Sequence, residues 1–224
     1  SMGVHKKLGL PVRGEGIPVL RYPGDKGWSG LSLAQMAYGY EVSMTPLQIL
    51  AFYNAIANEG ELLKPRLIKE VKEWNKSIKR FDKEVLNPSI CSQETLKKVQ
   101  QILKDVVEKK SGTGNGMYSK NFSMAGKTGT TKKYLPKHTN ENGETVSAGY
   151  SNKHYVASFA GFFPADKPKY SCIVVIHDPK KEKGYYGATV AAPVFKEIAQ
   201  KIYTTTPVEN QSVEDRVQFD EVEK

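Results

Sequence analysis

The sequence predicts an α+β protein in which antiparallel sheet strands are flanked by helices. Three observations predict it. Helical periodicity marks residues 46–58 and 92–110, two strand-like runs lie close together at 154–164 and 170–179, and a last helical segment follows at 187–203. At 224 residues, 39% hydrophobic and 25% charged, the chain is long enough to bury one sizeable core, so one compact unit is expected.

Residues 9–30, "GLPVRGEGIPVLRYPGDKGWSG", hold six glycines and three prolines, which forbid a long helix or strand and predict a structured loop. "GLSLAQMAYGYEVS" then has room for one short helical stretch. Thr45-Pro46-Leu47-Gln48 is a helix start, with a capping threonine, proline at the first helical position and glutamine at the third. Ile49, Leu50, Tyr53, Ile56 and Ala57 recur at helical spacing behind it, and Gly60 stands where a C-terminal cap is wanted. "PRLIKEVKEW" and "SIKRFD" read as short strands of a peripheral ribbon. In 92–110, Ser92 can cap and Leu96, Val99, Ile102, Leu103, Val106 and Val107 form one apolar stripe; Lys109 and Lys110 suit the negative end of the dipole. The glycines of "SGTGNG" end that helix.

A small-residue strand follows in "FSMAGKTGTTKKY" (122–134), then a polar loop over 131–153. "HYVASFAGFFP" and "YSCIVVIHDP" are joined by only "ADKPK", which makes them an antiparallel hairpin. The second is nearly all apolar from Cys172 to Ile176, as a strand covered on both faces would be, and Cys172 is expected to be a small core residue. In "GATVAAPVFKEIAQKIY", Val190, Val194, Ile198 and Ile202 keep a helical period, with Pro193 either kinking the helix or marking its first firm turn. Residues 204–224 read as an acidic, flexible tail.

Net charge is +9, but residues 204–224 carry six acids against two bases, leaving −4 there and +13 on the rest. A body this basic is drawn to polyanions, yet its lysines are scattered through polar loops, so no nucleic acid partner is expected. Two cysteines, Cys91 and Cys172, make neither a zinc signature nor a disulfide framework, and no His-Glu-x-x-His is present. No metal or other cofactor is expected. A Gly-x-Ser-x-Gly elbow is also missing, and His5, His138, His154 and His177 read as surface or strand residues.

The chemistry concentrates at Lys127-Thr128-Gly129. As a phosphate loop it fails, because Asn121 stands where the earlier glycine is needed and no helix opens after it. The bland alternative is a solvated lysine on an edge strand between two glycines. Against that, Ser123, Ala125 and Gly126 let a ligand backbone come close, while Lys127, Thr128 and Thr130 offer a cation and two hydroxyls, a set suited to a carboxylate.

Lys-Thr-Gly, together with "AYGYEVSMTPLQILAFYNAIANEGELLKPRLI", "GTGNG", "AGFFPADKPKYSCIVVIHDP" and "YYGATVAAPVF" in that order, resembles the class B penicillin-binding D,D-transpeptidases of the septal, FtsI type. The resemblance covers most of residues 3–203. It implies a partial penicillin-binding-protein/β-lactamase-like transpeptidase fold. It also implies a site in which a serine attacks the D-Ala-D-Ala bond of a peptidoglycan stem peptide and an amine of a neighbouring stem resolves the acyl-enzyme, with β-lactams mimicking the donor. By the same resemblance Lys127 supplies positive potential and a proton-relay contact. Thr128 and Thr130 bind the terminal carboxylate through their hydroxyls, Gly129 keeps the strand edge open, and the Thr130 N–H forms half of the oxyanion hole. Partners would be stem peptides, β-lactams and division-complex proteins. The parent would be anchored in the cytoplasmic membrane by an N-terminal helix, with this portion on its extracytoplasmic, periplasmic face.

Two departures stand out. No Ser-x-x-Lys, the family's nucleophile motif, occurs anywhere in the sequence. Ser119-Lys120-Asn121 matches Ser-x-Asn in letters, but six residues ahead of the lysine rather than far upstream, and reads as chance. Residues 1–203 are therefore expected to be the C-terminal portion of a transpeptidase domain, inactive alone, with apolar surface left open to self-association. A non-catalytic binding module of the same fold and a β-lactam sensor are the alternatives; the "TPLQ" helix and "YYGATVAAPVF" favour the transpeptidase.

Overall fold

The computed structural model describes residues 2–139, 143, 145–180, 182 and 184–205. The length suggested one compact unit, but contacts gather into two, residues up to Gln101 and residues from Ile102 on. The boundary falls inside a helix, where no change of composition could announce it.

In the first unit the loop over 9–30 holds its shape through polar contacts rather than periodic structure. The Glu15 carboxylate accepts the backbone N–H groups of Leu8, Gly9 and Leu10, and Val19 bridges to Ser43. Helix α1 covers Ser32–Ala37 and α2 covers Pro46–Ala57. The start of α2 is the expected capping box: the Gln48 N–H donates to Thr45 Oγ1 at 3.2 Å, and the Thr45 N–H donates to Gln48 Oε1 at 2.8 Å. Gly60 closes the helix with φ near 89° and an N–H donated to the Ala55 carbonyl. Ala51, Ala55 and Ile56 of α2 are buried, as are Leu62, Ile90 and Leu96.

Strand β1 (Leu62–Leu63) pairs with β4 (Val85–Asn87), a ladder too short to show in the sequence. Between them β2 (Glu70–Glu73) and β3 (Lys76–Arg80) form the expected ribbon, turning at Trp74-Asn75 with φ of 46° and 64°. Trp74, at its tip, is 97% exposed. Helix α3 covers Gln93–Glu108, with the Thr95 N–H donated to Ser92 Oγ. Its stripe is narrower than expected. Leu96, Leu103 and Val107 are buried but Ile102 is exposed, because neighbouring residues lie about 100° apart around the axis and only one seam is covered.

In the second unit, β5 (Ala125–Leu135), β8 (Gly149–Phe163) and β9 (Tyr170–His177) form one antiparallel sheet in the order β5-β8-β9. The expected polar loop 131–153 is largely strand. β5 runs on to Leu135, β8 starts at Gly149, and the small pair β6 (His138–Thr139) and β7 (Thr145–Val146) lies between them. Apolar alternation is absent there because both faces are solvated, so pairing comes from the backbone ladder and cross-strand contacts such as Tyr134 on Tyr150.

The final helical segment is two helices, α4 (Gly187–Val190) and α5 (Ala192–Thr205), with Pro193 in the first turn of α5. α5 reaches two residues into the expected tail; the rest of that tail lies outside the described residues. Phe195 of α5 meets Phe159 and Phe163 of β8 edge to face, and Val107, Met117, Phe122, Met124, Ala192, Ala199 and Tyr203 complete the core around them. Cys172 packs against this core but is only half-buried, since β9 is the sheet's outer strand on that side among the described residues. Burial pushes its thiol pKa up. No helix among the described residues is long and apolar enough to cross a membrane.

Candidate active site

Lys127, Thr128, Gly129 and Thr130 are consecutive residues of β5, paired with Ala160, Phe159, Ser158 and Ala157 of β8. Strand alternation puts Thr128 and Thr130 on one face and Lys127 and Gly129 on the other. Among the described residues β5 has a strand partner on one side only, so its other edge is open to a ligand's backbone. Lys127 is exposed, yet its ammonium turns back along the strand: Nζ donates to the Thr128 carbonyl at 2.9 Å and to Thr128 Oγ1 at 3.3 Å. The cation and the first hydroxyl therefore sit together despite starting on opposite faces.

The glycines have a reason in the protein's own packing. A Cβ at Gly126 would lie 2.5 Å from the Phe159 ring and the Ala160 carbonyl, and one at Gly161, its cross-strand partner, 2.1 Å from the Ala125 carbonyl. At Gly129 it would meet Ser158 Oγ at 2.4 Å. Gly187, which opens α4, is pressed against the same place, with a hypothetical Cβ 2.4 Å from the Ser158 carbonyl and 2.5 Å from that of Gly129. From there its N–H donates to Thr130 Oγ1 at 2.9 Å.

Thr128 also has an outside partner. Thr113 Oγ1 lies 3.0 Å from Thr128 Oγ1. Thr113 sits in "SGTGNG", where the Gly112 and Gly114 N–H groups donate to the Lys109 and Val106 carbonyls and Asn115 Nδ2 donates to that of Val107, folding the loop onto the end of α3. From the sequence these glycines read as a helix stop and as part of the family resemblance, with no contact to the Lys-Thr-Gly strand implied. Sequence reasoning misses Thr113 and Gly187 as site residues; the signal they carry is a hydroxyl between two glycines, and a glycine opening a helix after two tyrosines.

The approach to β5 is pinned by a charged contact. Lys104 Nζ donates to Asp166 Oδ1 at 2.5 Å, Ser123 Oγ donates to Asp166 Oδ2 at 2.7 Å, and the Ala165 N–H donates to Ser123 Oγ at 2.9 Å. The Lys104 hydrogen bond, helped by that of Ser123, holds the Asp166 carboxyl below its ordinary pKa although burial opposes it. Lys104 is raised in turn, chiefly by Asp166. Just past the end of β9, Asp178 is held between Lys133 Nζ (2.8 Å) and His154 Nδ1 (3.0 Å), and its pKa is lowered first by Lys133. Tyr155, Tyr185 and Tyr186 stack nearby, with ring centroids 4.2 Å and 4.4 Å apart.

Ser119 and Asn121 do no more than close a local turn, the Asn121 N–H donating to Ser119 Oγ at 3.2 Å. Among the described residues no group of three or more His, Cys, Asp or Glu could hold a metal ion. What β5 offers is an open strand edge, an ammonium and two hydroxyls already held by other groups, which is equipment for binding an anion-terminated peptide.

The chain belongs to the penicillin-binding-protein transpeptidase family: the family described as "Penicillin binding protein transpeptidase domain" matches residues 2–200. The peptidoglycan D,D-transpeptidase FtsI of Buchnera aphidicola subsp. Baizongia pistaciae is 36% identical over 197 residues, 88% of this chain and 31% of that protein. Stage V sporulation protein D of Bacillus subtilis is 30% identical over 195 residues, 87% of this chain and 28% of that one. Penicillin-binding protein 3 of Mycobacterium tuberculosis, solved in complex with ampicillin, superposes with a TM-score of 0.70 at 29% identity, covering 91% of this chain and 43% of that one. The α+β transpeptidase fold expected from the motifs is thus the fold observed, and the chain spans less than a third of the length of these two curated relatives.

Proposed function

We propose that the chain carries the substrate-clamping strand of a serine D,D-transpeptidase that cross-links peptidoglycan stem peptides during cell division and is acylated by β-lactams. The observation that carries this reading is the grouping of the Lys127 ammonium with the Thr128 and Thr130 hydroxyls on an open strand edge, in a chain of this family. In the reaction a serine Oγ attacks the carbonyl between the two D-alanines, the terminal D-alanine leaves, and the acyl-enzyme passes to an amine of a neighbouring stem. Lys127 supplies positive potential and a proton-relay contact. Thr128 and Thr130 take the terminal carboxylate, and the Thr130 N–H stabilises the oxyanion, a type of contact worth roughly 3–4 kcal/mol of barrier.

The serine lies outside these residues, since no Ser-x-x-Lys is present, and the 224-residue chain alone is inactive. The working site faces the outer side of the cytoplasmic membrane, with division-complex proteins as neighbours. Many large apolar residues are exposed, Leu31, Leu33, Tyr38, Trp74 and Ile102 among them, and through such surface the isolated chain would self-associate.

Intact mass after incubation with excess benzylpenicillin tests this, using the 224-residue chain beside one extended upstream. An adduct is expected only on the extended chain. An adduct on the shorter one would mean that the nucleophile lies within these residues, and no adduct on either would favour a non-catalytic binding module.

A further inference from the structure

A hydroxyl has one proton to donate and two lone pairs to accept with, so fixing what it accepts fixes where its proton goes. The Gly187 N–H can only donate, and at 2.9 Å it occupies a lone pair of Thr130 Oγ1. Lys127 Nζ likewise can only donate, and it occupies a lone pair of Thr128 Oγ1 at 3.3 Å. The direction of the remaining contact, 3.0 Å between Thr113 Oγ1 and Thr128 Oγ1, is set by neither oxygen alone. If Thr128 donated to Thr113, its proton would be spent inside the protein. If Thr113 donates, both Thr128 lone pairs are filled and its proton is left for an acceptor outside.

A ligand carboxylate accepts only, and so selects the second arrangement. Resting on the function proposed above, we infer that Thr113 is a positioning residue that donates to Thr128 Oγ1 and so turns the Thr128 proton towards the ligand carboxylate, while the Gly187 N–H fills one lone pair of Thr130. The two anchors come from opposite sides of the motif: Thr113 precedes β5, on the turn folded against α3, and Gly187 opens α4. Both anchors are thus in contact with the clamp before any ligand arrives, and the ligand carboxylate selects the direction of the Thr113–Thr128 bond. Thr113 is itself exposed, so its hydroxyl can be removed without opening a cavity.

The test uses the extended, acylatable protein with benzylpenicillin and with its methyl ester, which lacks the carboxylate charge. T113V and T113A are expected to slow acylation by benzylpenicillin roughly five- to tenfold, the scale of one hydrogen bond feeding an ionised partner, while slowing the ester reaction, whose neutral carbonyl accepts more weakly, by clearly less. T113S should restore the benzylpenicillin rate. Equal slowing of both ligands would make Thr113 merely structural and overturn the inference, as would wild-type rates in T113V and T113A, or a T113S as slow as T113V. Wild-type protein that takes up neither ligand would remove the proposed function and this inference with it, whereas an acylated wild type with unaffected variants removes the role of Thr113 alone.

Discussion

Gly129 was expected to be glycine for the ligand's sake, yet its Cα faces Ser158, whose Oγ would lie 2.4 Å from any Cβ placed there. The next atom of that side chain is 3.8 Å away, an ordinary contact. G129A should therefore lower stability by about 1–3 kcal/mol through overpacking, and S158A in the same chain should recover most of the loss. Thermal melting of the two single variants and the double variant checks the coupling; equal destabilisation of G129A and G129A/S158A would place the strain elsewhere. The pair also shows why a motif glycine cannot be assigned to ligand approach from its letters. Lys127 and Thr128 could be read as chemistry from the sequence because their groups are scarce and specific, but Ser158 lies 29 positions from Gly129 and meets it only through the β5–β8 register.

Each helix depends on local chemistry at its start and on distant chemistry along its face. The Thr45–Gln48 box is local and complete, so T45A should cost about 1 kcal/mol in urea denaturation; no measurable change would mean that α2 is held by packing alone. The second half of α3 is tied down by Lys104 on Asp166, in the β8–β9 turn, and through Asp166 to Ser123 ahead of β5. Because the Asp166 carboxyl sits below its unfolded value of about 3.9, its contribution is whole above that pH and disappears as pH falls through the lower folded value. D166N should lower the neutral plateau of a melting-temperature profile and so flatten its acid limb, the variant and the wild type converging as pH falls below about 3.9. The effect should be small and should shrink further in salt, since the Asp166 side chain is 65% exposed. An unchanged acid limb in D166N would remove Asp166 from the account.

Across the whole molecule, protection should follow burial rather than secondary structure. Phe159, Phe162, Phe163 and Phe195 are fully buried, while every residue of β3 and the turn residue Trp74 are exposed. Hydrogen exchange should therefore be slowest in β8 and α5 and fast in the β2–β3 ribbon, although all are regular structure. Slow exchange at Trp74 and its neighbours would show that something covers the ribbon in solution.

The class of fold, the caps and periods of α2 and α3, the β8–β9 hairpin and the family are legible in the sequence, because each depends on residues near one another in the chain or on motifs kept in order. The sequence also places Lys127, Thr128 and Thr130 together, since they fall within four successive residues of one strand. The folded chain alone shows that the polar stretch after them continues as paired strands, that the contacts divide inside α3, and that Thr113, before the strand, and Gly187, well after it, reach the two hydroxyls. Those features depend on register and on close approach between segments far apart in sequence, and neither leaves a periodic trace in the chain.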